Sequence, residues 1–203
     1  LQSAPRGQGQ IVGISGEVGI GKSRHAYEFR QILADKPVVY LEGQCVSYGT
    51  ATPYLPVLDV LKTSWGITDT DATETVRERV EAALREVGMD PAAAGPYLLH
   101  LLGIKEGAER LQALEPNAIK ARIFETLRQA WLARSRQQPL VLVLEDLHWI
   151  DSTSEELFAS LAEILAGSRI FLLCTYRSGY QPPWIEKSYA TQMALQPQVP
   201  AKS

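Results

Sequence analysis

Gly16-Glu-Val-Gly-Ile-Gly-Lys-Ser23 fits the pattern G-x-x-x-x-G-K-[ST]. The apolar run Gln10-Ile-Val-Gly-Ile-Ser15 before it reads as a buried strand, and a helix is expected from Gly21 to about Ala34. Strand, glycine-rich turn and helix in that order form the setting in which this pattern binds phosphate. Four specified positions recur by chance only about once in a hundred chains of this length, and less often in that setting. Gly16, Gly19 and Gly21 let the backbone turn tightly and aim consecutive N–H groups at an anion, and the helix adds the positive end of its dipole. Lys22 is expected to reach the β- and γ-phosphates of a nucleotide. Ser23 is expected to place its hydroxyl on Mg²⁺, a hard cation that prefers oxygen ligands.

Outward from the loop, Pro37-Val-Val-Tyr-Leu-Glu-Gly43 reads as a second strand, and Cys45 to Pro56 as a loop punctuated by Gly49, Pro53 and Pro56. Val57 to Arg136 reads as helical throughout. Val76, Val80, Leu84 and Val87 form one apolar stripe, and Ile119, Ile123, Leu127 and Trp131 form another that starts after Pro116-Asn117. Leu140-Val-Leu-Val-Leu144 lacks polar alternation, as does a strand buried on both faces of a parallel sheet. Ser152-Thr-Ser-Glu155 has capping-box spacing ahead of a helix that ends near Gly167. Arg169 to Thr175 is another buried strand, and Ala190 to Leu195 a short last one. Alternating strands and helices predict an α/β fold in three layers, with a mainly parallel sheet of about five strands and a helical insertion after the second. Residues 1–203 are expected to form a single domain with flexible ends at 1–9 and 196–203.

Glu145-Asp146 follows the Leu140 to Leu144 run, and open α/β sheets bind ligands at the carboxyl ends of their strands. One carboxylate is expected to hold Mg²⁺ and the other to polarise a water for attack on a γ-phosphate. Thr175-Tyr-Arg177 ends another buried strand. If that strand lies between the phosphate-loop strand and the Glu145 strand, Thr175 or Arg177 faces the γ-phosphate; otherwise Arg177 pairs with an acid or is simply exposed. His148 reads as a packed or hydrogen-bonded imidazole shaping the turn before Asp151, and His25 and His100 as structural. Tyr48, Tyr54, Trp65 and Tyr97 are expected in core and inter-helix packing, because no basic residues lie between them to make a base-stacking platform. Arg77, Glu81 and Arg85, at i, i+4 spacing, read as a solvated helix face.

With 203 residues, 45% of them hydrophobic, and 20 Lys+Arg against 23 Asp+Glu, the chain has the composition of a packed domain of net charge −3. No basic block speaks for direct nucleic-acid binding, and no apolar run approaches the ~20 residues of a membrane span or stands at the N-terminus. The chain reads as cytoplasmic, and Cys45 and Cys174 as reduced, buried thiols. A first residue of Leu1 leads us to expect a piece of a longer protein.

Gly13-Ile-Ser-Gly-Glu-Val-Gly-Ile-Gly-Lys-Ser-Arg24, Tyr54-Leu-Pro-Val-Leu-Asp59, Leu142-Val-Leu-Glu-Asp-Leu-His-Trp-Ile-Asp151, Thr175-Tyr-Arg177 and Pro182-Pro-Trp184 together resemble the AAA-like ATPase domain of signal-transduction ATPases with numerous domains (STAND). The version attached to bacterial class III adenylate/guanylate cyclases and large LuxR-type regulators is the nearest in look, over about Gly7 to Leu195. The resemblance implies a P-loop NTPase of the ASCE type that binds ATP and Mg²⁺. It implies nucleotide contacts along Gly16, Glu17, Val18, Gly19, Ile20, Gly21, Lys22, Ser23 and Arg24. It implies an Mg²⁺ role for Glu145, a water-orienting role for Asp146 and γ-phosphate sensing by Arg177. Ile150 stands where that family often has Ala. The family's domain is normally followed by a helical lid or winged-helix module, and the 203 residues hold none. The expected partners are therefore nucleotide, the other domains of a parent protein (lid or winged helix, helical repeats, a cyclase or DNA-binding effector) and further copies in a nucleotide-dependent assembly. The expected activity is slow ATP hydrolysis resetting a switch; the alternative is a nucleotide-binding scaffold without significant turnover.

Overall fold

The computed structural model describes residues 8–107 and 109–196, apart from the side chains of 109 and 110. The flexible ends expected at 1–9 and 196–203 therefore lie outside the described residues, except for 8, 9 and 196. Five strands, β1 (Gln10–Ser15), β2 (Val39–Gln44), β3 (Leu140–Glu145), β4 (Ile170–Tyr176) and β5 (Ala190–Ala194), form one sheet in the order β2-β3-β4-β1-β5. Every pairing is parallel, so the carboxyl ends of β1, β3 and β4 share one edge.

The uniformly apolar strands divide their side chains between two faces. Leu140, Leu142 and Leu144 of β3, with Ile170, Leu172 and Cys174 of β4, enter the larger core. Val141, Val143 and Leu173 face the smaller core, where they meet Ala26 and Leu33 of α1 (Lys22–Leu33). The larger core is closed by α2 (Leu55–Trp65), α5 (Pro116–Gln137) and α6 (Ser152–Leu165). This is the three-layer parallel architecture expected, with β4 between β1 and β3.

The region expected to be continuously helical from Val57 to Arg136 is broken. It holds α2, α3 (Thr73–Glu86), α4 (Pro91–Leu101), a 3₁₀ turn at Glu109–Ala113, and α5. Gly66 closes α2 with φ +65°, a conformation that suits glycine. Asp90 caps α4 by accepting the Ala92 N–H. Val76, Val80 and Leu84 are buried as their stripe predicts, whereas Val87 lies past the end of α3 and is only half-buried. Arg85 and Glu81 pair (2.5 Å) on the solvated face expected, whereas Arg77 is largely covered and donates to the Glu106 carbonyl (2.9 Å).

At α6 the cap differs from the one expected. Asp151, not Ser152, is the N-cap, and its Oδ1 accepts the Ser154 N–H (2.9 Å). Glu155 does not reach back to the cap; its carboxylate accepts from the Tyr180 hydroxyl. The same Asp151 Oδ1 accepts the N–H of Tyr54 (3.1 Å), which stands at φ +66° as the first residue before α2. One buried carboxylate oxygen thus joins the start of the insertion to the loop after β3. Tyr54, Trp65 and Tyr97 pack on the core as expected, but Tyr48 is 82% exposed. Cys45 and Cys174 are free and buried, and burial pushes the Cys45 thiol up to about 12.

Candidate functional site

The turn after β1 owes its shape to two glycines in the left-handed region, Gly19 at φ +77° and Gly21 at φ +99°. Gly16 serves differently from the expectation: a Cβ there would lie 2.8 Å from Ile20 Cγ2, so close approach and not a positive φ requires it. Gly21 is the N-cap of α1 and makes no side-chain cap, and the first turn holds no acid. The N–H groups of that turn are therefore available to an anion, together with the helix dipole. Lys22 is buried, and its Nζ donates to the carbonyls of Gly16 (2.8 Å) and Glu17 (2.9 Å), which holds the ammonium inside the loop it serves.

A cleft of about 330 Å³ opens at this turn. Val18, Gly19, Gly21, Lys22, Ser23 and Arg24 line one side, and Asp146 and Arg177 the other. The fold therefore brings together groups separated by more than 150 positions in the sequence. Arg24 borders the cleft, but its guanidinium turns to Glu28 one helical turn on (2.8 Å). Glu17 and Val18 are exposed and Ile20 is half-buried.

Asp146 leaves β3 at φ +56°, and its N–H is held by Thr175 Oγ1 (3.0 Å). That hydrogen bond settles which residue of Thr175-Tyr-Arg177 reaches the cleft. Thr175 is fully buried and occupied with the Asp146 backbone, whereas Arg177 is exposed on the cleft wall with its guanidinium 5.5 Å above the centre of the Trp149 ring. Arg177 forms an ion pair with neither Glu145 nor Asp146 among the described residues.

Glu145 lies behind Asp146 on the α1 side of the sheet. Burial raises its carboxyl above the ordinary range; a hydrogen bond from Ser23 opposes that rise, and the neighbouring Glu42 and Asp146 carboxylates add to it. The Ser23 hydroxyl on the cleft wall thus meets the Glu145 carboxylate, two hard oxygens of the kind that fit Mg²⁺. Among the described residues no cluster of three or more acidic, His or Cys side chains stands as a metal cage by itself.

Glu42 of β2, absent from the expected site, approaches Glu145 because Gln44 pairs with Glu145 in register and Glu42 shares its face two residues earlier. Arg30 of α1 partly offsets its charge (3.3 Å) and also lies over the Tyr40 ring. His148 is packed, as read, against Trp149 with ring centres 5.1 Å apart, but neither ring nitrogen has a hydrogen-bond partner among the described residues. Burial lowers its basicity, the positive charges of Arg177 and Lys22 lower it further, and Asp146 opposes them. His25 is structural: its Nδ1 donates to the Gly21 carbonyl (2.8 Å).

A five-stranded parallel sheet with a fourth strand between the phosphate-loop strand and the acidic strand, and a cleft at their shared carboxyl edge, defines a P-loop NTPase of the ASCE type. The chain belongs to the AAA ATPase domain family, whose model matches residues 1–173. The family implies nucleotide as ligand. Over 192 residues the chain is 33% identical to the uncharacterized protein R02095 of Rhizobium meliloti (strain 1021), a match that takes in 94% of the chain and 18% of that relative's length. Among solved structures, cbiO1 of Clostridium perfringens, part of the ABC transporter complex cbiONQ, is similar at 16% identity over 83% of this chain and 68% of that one, with a TM-score of 0.32. Among the described residues no helix is long and apolar enough to cross a membrane.

Proposed function

We propose that this chain is the nucleotide switch of a larger signal-transduction regulator, of the kind built around a cyclase or a LuxR-type effector. ATP with Mg²⁺ sets the conformation or assembly of the whole, and slow hydrolysis resets it. The observation that carries this reading is the convergence of Lys22, the first turn of α1, Asp146 and Arg177 on one cleft. The match of nearly the whole chain to 18% of a much longer relative supports a multidomain setting.

In this reading the N–H groups from Gly19 to Ser23 hold the β-phosphate, and Lys22, kept in place by two carbonyls, bridges towards the γ-phosphate. Ser23 and Glu145 would hold Mg²⁺, directly or through water. Held there, the ion would supply positive charge to offset that developing on the phosphate oxygens. Asp146 accepts a hydrogen bond from the attacking water and orients it in line with the bond to be broken; the products are ADP and inorganic phosphate. Arg177, which lines the cleft over the Trp149 ring, turns its planar fork to a bidentate contact with the γ-phosphate on release from that ring. Thr175 positions Asp146 through its backbone.

Hydrolysis and nucleotide-driven assembly of Asp146→Asn test this. The variant is expected to bind ATP and to lose turnover by about a hundredfold, the size of a general-base contribution. If it binds ATP while neither hydrolysis nor assembly changes, the switch fails, and a scaffold that holds nucleotide without turning it over takes its place.

A further inference from the structure

A second cavity, of about 360 Å³, lies away from the nucleotide cleft, between the outer edge of β2 and helices α2, α3 and α5 of the insertion. Its walls are mostly apolar, with Leu61, Leu84, Leu127 and Trp131 each less than 5% exposed. Trp65 adds a second indole to the wall. The volume falls in the range of small-molecule sites.

Its polar lining is Glu42, Thr63, Ser64, Glu86 and Arg134. Arg134 of α5 and Glu86 of α3 pair there, and the arginine is the deeper of the two, with its side chain 28% exposed against 60% for the glutamate. Arg134 uses Nη1 alone, for Glu86 and for Gln137 Oε1 (3.3 Å), so Nε and Nη2 have no partner among the described residues. Two donors on one edge of a guanidinium match the two oxygens of a carboxylate.

We propose that this cavity binds a small amphiphilic monocarboxylate, a medium-chain fatty acid or an arylalkanoic acid. The apolar body lies against Trp65 and Trp131, and the carboxylate lies on Arg134. The site is independent of the phosphate loop and stands whatever the fate of the nucleotide reading.

Octanoate is the probe, octanol its neutral counterpart, and the intrinsic tryptophan fluorescence of the full chain the signal. Octanoate is expected to change the fluorescence saturably. Arg134→Gln is expected to weaken octanoate by about tenfold or more while leaving octanol unchanged, since it removes a charge-assisted bidentate contact. Because that variant also breaks the ion pair with Glu86, Glu86→Gln serves beside it: it breaks the same pair, keeps the arginine, and is expected to bind octanoate at least as well as the parent. No saturable change with octanoate overturns the proposal. So does an Arg134→Gln protein that binds octanoate like the parent, or a Glu86→Gln protein that loses octanoate as Arg134→Gln does.

Discussion

Glu145 is held in a state that favours its protonated form. Burial raises its carboxyl above the ordinary value of 4.5, and the negative charges of Glu42 and Asp146 raise it further against the hydrogen bond from Ser23. An acid whose proton is bound more tightly in the folded than in the unfolded chain stabilises the fold below the ordinary carboxylate range and loses that contribution as pH rises through the raised value. Without Mg²⁺, Glu145→Gln is therefore expected to melt at a higher temperature than the parent at pH 7.5, with the gap closing as pH falls towards 4.5. Equal melting temperatures at pH 7.5 would show that the carboxylate bears no such burden. Part of this residue-level arrangement is legible in the sequence, because the loop pattern announces Lys22 and Ser23, and an acidic pair after an apolar run announces Glu145 and Asp146. Glu42 is not legible. It lies 103 positions before Glu145, inside a strand whose register against β3 no local pattern specifies. Asp151 is obscured in another way, since Ser152 and Glu155 offer a plausible capping box one residue too late.

Among the elements, β2 and α2 come closest together at Gly43. A Cβ built there would lie 2.6 Å from the Pro56 carbonyl oxygen and 2.8 Å from Val60 Cγ2. Backbone stands on the far side, so a methyl group cannot be accommodated by turning a side chain. Gly43→Ala is expected to push α2 away from the sheet and to destabilise the fold by about 1–3 kcal/mol in urea titration, the cost of overpacking a core. A parent-like midpoint would mean that the two elements are not so closely apposed. The strands were readable because runs such as Leu140 to Leu144 have no other place in a soluble fold than between two layers. The insertion was readable as helical but not in its divisions. Gly66 stops α2, and Pro91 and Pro116 begin α4 and α5, yet nothing local tells how those helices fold back on β2.

Over the whole molecule, parallel pairing carries three separate stretches, at Gly16 to Ser23, Glu145-Asp146 and Arg177, to one edge of one sheet. The −3 net charge says nothing of the anion expected there, because local N–H groups and one held lysine supply the attraction. The claim on which all else depends is that nucleotide occupies the cleft beside Lys22. Calorimetric titration of Mg·ATP into the parent and into Lys22→Ala measures it directly, with circular dichroism confirming that both are folded. The account predicts binding by the parent and an affinity reduced at least about a hundredfold in the variant, in keeping with the loss of a charge-assisted contact to phosphate. Equal affinity in the two proteins would contradict it.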